Sequence, residues 1–125
     1  MRSVIERHQR EAFVWGESDC AVMCGDVIWA ITGVNVMRGY WWGSERGAIV
    51  ALRRSGVSSA VEAFTAGRCE IPPGEACRGD LGAIAEHEGE PLMSPAIIDG
   101  AFAFSKNKDG PVIVPRSAIV RAWAV

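Results

Sequence analysis

The sequence predicts an α+β fold in which N-terminal helices pack on a C-terminal antiparallel sheet, as a single domain over residues 1–125. Three observations lead there. As far as Gly67, apolar residues recur at helical spacing behind Ser or Asp caps. From Leu81 onward the chain holds only short apolar or β-branched runs, separated by Gly, Pro and Asp-Gly signals. With 125 residues, 49% hydrophobic and 22% charged, the chain suits one hydrophobic core and is too short for two independent domains.

Val4 to Phe13 reads as a short, mostly solvated helix, because Glu6, Arg7, Arg10 and Glu11 leave a narrow apolar stripe. After the turn Trp15-Gly16-Glu17-Ser18, either Ser18 or Asp19 can cap a second helix. In that helix Cys20, Cys24, Val27, Ile28 and Ile31 share one face, and Gly33 ends it. Ser44 caps a third helix carrying Ile49 and Leu52, and Ser58 a fourth carrying Val61 and Phe64 and ending at Gly67. Beyond the Pro72-Pro73-Gly74 break, strands are expected at Leu81–Glu86, Leu92–Ile98, Ala101–Ser105, Val112–Val114 and Ala118–Val125.

Thirteen basic against fifteen acidic side chains give a net charge of -2, which offers no basis for phosphate-driven nucleic-acid binding. The longest uncharged stretch, Val27 to Met37, falls well short of the roughly 20 apolar residues of a membrane span. The charged opening Met1 to Glu11 lacks the apolar core of a secretory signal, so synthesis without export by a signal of its own is expected. The cysteine spacings, Cys20/Cys24 and Cys69/Cys77, match no common zinc pattern, and no metal or cofactor is expected.

The chemistry-bearing residue is Cys20. A cysteine in the first turn of a helix feels the positive end of the helix dipole, which favours the thiolate. Backbone N–H groups around it can stabilise an oxyanion during acyl transfer. The plainer reading is a small buried hydrophobe, and Cys24, one turn on, reads as core packing.

Phe13-Val14-Trp15-Gly16-Glu17-Ser18-Asp19-Cys20, followed by Arg78-Gly79-Asp80-Leu81, resembles the NlpC-type branch of papain-like cysteine peptidases. There a Gly-x-x-Asp-Cys motif opens the nucleophile helix and a Pro-Gly-Asp motif opens the first strand of the sheet. The resemblance covers residues 13–125 and is closest to the small NlpC-like proteins of phage and gene-transfer-agent tail modules, which share the Trp-Gly-x-x-Asp-Cys start and an Ala-Trp near the C-terminus, here Ala122-Trp123. Active members carry a histidine on the second strand in a pattern that ends on glycine. Setting Gly100 on that glycine puts Ser94 at the histidine position, and a serine cannot take a proton from a thiol near neutral pH. The resemblance thus implies the fold of the family with a degenerate active site.

Of the two histidines, His8 lies in the charged first segment and reads as solvated. His87, in Glu86-His87-Glu88-Gly89-Glu90-Pro91, reads either as an exposed turn histidine or as a substitute base brought near Ser94 by a hairpin. Cys69 and Cys77 read as reduced thiols, with a disulfide as the alternative. Trp41 and Trp42, flanked by glycines, and the C-terminal strand with Trp123 and Val125 are the candidate partner contacts.

The preferred expectation is a structural or assembly component of a phage-type tail, near its tip. It would be made in a bacterial host's cytoplasm and built into the virion tail, contacting hub or tip proteins, with neither nucleic acid nor a membrane span. The alternative is an active cysteine endopeptidase that cleaves peptidoglycan during entry, with Cys20 as nucleophile and His87 as base. A third reading is a free-standing acyl-transfer or amidase enzyme.

Overall fold

A computed structural model of the chain describes residues 1–85 and 93–125. Its element order is α1 (Arg2–Arg10), α2 (Cys20–Thr32), α3 (Glu45–Arg54), α4 (Ala60–Thr65), β1 (Glu70–Ile71), β2 (Leu81–Ala85), β3 (Met93–Asp99), β4 (Phe102–Asn107), β5 (Gly110–Pro115) and β6 (Ile119–Trp123). The six strands form one antiparallel sheet in the order β1-β6-β2-β3-β4-β5. The expected α+β arrangement, helices first and sheet afterwards, is present.

Helix α2 is the centre of the helical layer. Asp19 caps it through a carboxylate that accepts the Val22 N–H, and Gly33, at φ 75°, ends it in the left-handed region. Met23, Cys24, Val27 and Ile28 are buried, and they pack with Leu81 of β2 and Ile97 of β3. Ile28, Leu81 and Ile97 are each fully buried, a contribution of roughly 1.5–3 kcal/mol apiece. The predicted stripe does not hold to its end, because Ile31 is half exposed. Its Cδ1 still lies over Gly79, 2.8 Å from where a Cβ would stand. Ser44 caps α3 as predicted, whereas α4 is capped by Ser59, and Ser58 instead bonds the Glu62 carboxylate.

The Gly79-Asp80 pair is a joint for the C-terminus. The Asp80 carboxylate accepts the Cys77 N–H at 2.7 Å and the Val125 N–H at 3.0 Å, so β2 begins where the chain ends. Strand β6 lies between β1 and β2, with Trp123 opposite both Glu70 and Leu81. It therefore has neighbours on both sides, and this strand, expected as a partner contact, offers no free edge. The same placement separates the segment beginning at Glu70 from that beginning at Leu81, and Cys69 and Cys77 are distinct exposed thiols.

Two readings of single residues are corrected by burial. His8 is fully buried, against the solvated role that its charged neighbours imply, because α1 turns it toward α2 and β4. Trp42 and Trp123 are 3% and 5% exposed and belong to the core, so neither is an available partner contact in this chain. Val125 is half-buried and held by Asp80. Trp41, by contrast, is 82% exposed.

Candidate functional site

The turn before Cys20 is built by four residues of its own motif, Val14, Gly16, Ser18 and Asp19. Gly16 sits at φ +76°, and a Cβ there would come within 1.8 Å of the Trp42 carbonyl oxygen, so only glycine fits. The Gly16 N–H donates to Asp19 Oδ2 at 2.8 Å, and Val14 and Ser18 close the turn as an antiparallel β-bridge. Asp19 is 1% exposed and takes three hydrogen bonds, from Gly16, from Val22 and from Trp42 Nε1. Cys20 thereby becomes the first residue of α2, partly exposed, at the positive end of the helix. One turn on, Cys24 is enclosed, and burial, followed by the negative charge of Cys20 and of Asp19, pushes its thiol well above the ordinary range. Cys24 remains a protonated core residue.

Cys20 borders a cleft of about 520 Å³ walled by Phe13 and Trp15, which meet edge to face at 4.9 Å, and by Ser94, Ser105 and Lys106. The cleft opens where two strands part. β3 and β4 pair from Asp99↔Phe102 to Ile97↔Phe104; further along, Pro95 has no N–H to give, and its carbonyl is taken by Ser105 Oγ at 2.9 Å. Cys20 and Ser94, singled out separately from the sequence, thus face one cavity. Alternation along β3 sets Ile97 on the face covered by α2, and Ser94 with Ala96 and Ile98 on the other, so Ser94 reaches the cleft from the sheet face away from α2. His87, the proposed substitute base, lies outside the described residues.

Behind the cleft is a polar network that sequence reasoning missed. Lys106, on β4 and 2% exposed, places its ammonium 2.5 Å from Ser18 Oγ and 3.4 Å from His8 Nδ1. An ammonium has no acceptor, so in that pair His8 Nδ1 accepts; on its other side His8 Nε2 lies 2.8 Å from Asp26 Oδ2 and 3.2 Å from the Arg7 guanidinium. Ser18 passes its own hydrogen to Glu11 Oε2 at 3.1 Å. Arg7, at 2.6 Å from Asp26, completes the balance of charge. Burial draws the Lys106 ammonium below the ordinary lysine range, with Glu11 and Asp19 opposing that shift and Arg7 adding to it. The network ties α1, α2, β4 and the Cys20 turn together.

The fold and site define an α+β domain with a cysteine at the head of a buried helix, facing a partly polar cleft. The chain belongs to the DUF6950 family, described as a domain of unknown function, which matches residues 1–125. No curated protein and no solved structure matches it. Among the described residues no helix is long and apolar enough to cross a membrane, and no three His, Cys, Asp or Glu side chains are grouped to hold a metal ion.

Proposed function

We propose that this chain is an assembly component of a phage-type tail, built on an NlpC-type papain-like domain whose cleft holds partner chain or cell-wall material without cutting it. The observation that carries this reading is the composition of β3. Met93–Asp99 reads Met-Ser-Pro-Ala-Ile-Ile-Asp, without a histidine at any register, on the strand where active members of the resembled family keep their base. Cys20 at the head of α2 and Gly79-Asp80 at the start of β2 agree with that domain type. Trp29, Ile31, Val34 and Trp41, exposed in and after the second half of α2, give apolar surface suited to protein contact.

Peptide mapping of purified tail particles from the strain carrying the gene tests the assembly role. The chain should be present in fixed ratio to the other tail proteins. Its absence from particles, with abundant chain left in the lysate, would overturn the reading.

A second reading has one observation in its favour: Cys20 stands at the positive end of a helix and borders a cleft of about 520 Å³. That arrangement suits a cysteine endopeptidase acting on peptidoglycan, with the Cys20 N–H in the oxyanion hole and His87 as base.

A further inference from the structure

The buried cation of the cleft has a task that an assembly role does not require. Among the described residues, Lys106 and Lys108 line the cleft and Arg7 stands behind Lys106; two of these three cations are committed elsewhere at the surface, Arg7 to Asp26 and Glu11 and Lys108 to Glu45. Lys106 is different. It is withdrawn from water, it lines the cleft with Cys20, and it binds the hydroxyl of the residue two places before Cys20. We infer that Lys106 is the positioning residue of the Cys20 site, anchoring the Ser18-Asp19-Cys20 turn to β4 and holding a positive charge at the wall of the cleft that the thiol borders.

Residues 18 to 20 are held from three directions. Asp19 is held by Trp42 and by its own turn, Ser18 by Lys106, and Lys106 in turn by His8 of α1. Removing the ammonium leaves Ser18 Oγ with Glu11 alone and leaves His8 Nδ1 without its donor. It also changes the field at the cleft, where water is partly excluded and a nearby charge acts more strongly than in bulk solvent. Among the described residues, the charged and titratable groups around this field are Asp19 on the helix side, Glu11, Arg7, His8 and Asp26 behind Lys106, and Glu45, Lys108 and Asp109 at the mouth, with Cys24 beneath them as a neutral thiol. The inference goes beyond the assembly reading and does not depend on whether the chain cuts peptides.

The test is the pH profile of Cys20 alkylation by iodoacetamide on the full chain, followed by mass spectrometry of the Cys20 peptide. In Lys106→Met the midpoint should move up by about half a pH unit or more, since the cleft that the thiolate borders loses a cation. In Ser18→Ala the charge stays but the anchor is lost, so the plateau rate should change by about threefold or more with a smaller midpoint shift. Cys69 and Cys77, both exposed, report on global change in the same samples and should keep their profiles. A folded Lys106→Met protein with an unmoved Cys20 midpoint overturns the inference, as does a parallel shift at all three cysteines. Should Lys106→Met fail to fold, an unchanged midpoint and plateau in Ser18→Ala overturns it equally.

Discussion

The indole Nε1 of Trp42 donates to Asp19 Oδ2 across 2.7 Å, deep in the core, where both residues are almost wholly buried. The same carboxylate caps α2 and closes the Gly16 turn. One acidic side chain therefore ties the loop after α2 to the start of that helix and sets where Cys20 stands. Asp19→Ala should cost about 2–4 kcal/mol, from a lost cap and an unpaired buried indole N–H. Urea unfolding would measure it, and Asp19→Ala combined with Trp42→Phe should cost less than the sum of the two single changes.

Gly16→Ala should be at least as damaging. Alanine is strained at φ +76°, and its methyl would collide with the Trp42 carbonyl. A loss of more than about 2 kcal/mol is expected, read as a drop in the unfolding midpoint at unchanged slope.

The two adjacent tryptophans should separate cleanly. Trp42→Ala, which opens the core, should cost about 3–5 kcal/mol, whereas Trp41→Ser should stay within about 0.5 kcal/mol. Thermal melts of the two variants would decide this, and equal effects would contradict the burial described above.

Several of these relations were legible in the residues. Asp19 before an apolar periodic run, Gly33 at its end and Ser44 before α3 are local signals, because a cap and its helix lie within a few residues. The His8 network was not legible. Its members lie 18 and 98 positions apart, and Glu6, Arg7, Arg10 and Glu11 give α1 the look of a solvated helix. Lys106 lies near the end of a strand, where a charge reads as exposed, and its burial depends on Ser18 and His8 being brought to it. Trp41 and Trp42 are locally equivalent, and an acid 23 residues earlier chooses between them. The insertion of β6 between β1 and β2 is likewise a non-local pairing, made against a strand of two residues that carries no pattern of its own.

The buried ammonium also gives the protein a pH dependence. Lys106 binds its proton less tightly in the folded chain than in the unfolded one. In the alkaline window between its lowered value and the ordinary lysine range, the unfolded state therefore binds more protons, and stability should rise with pH. Denaturant midpoints compared across that window should show a rise in the wild type relative to Lys106→Met, in which this contribution is absent.

The most direct measurement is digestion of purified peptidoglycan fragments by the wild-type chain, read by mass spectrometry beside Cys20→Ala and His87→Ala. The account predicts no Cys20-dependent cleavage, because the strand that would supply the base carries Ser94 and no histidine. Turnover by the wild type that disappears in both variants would contradict it and establish the cysteine endopeptidase in its place.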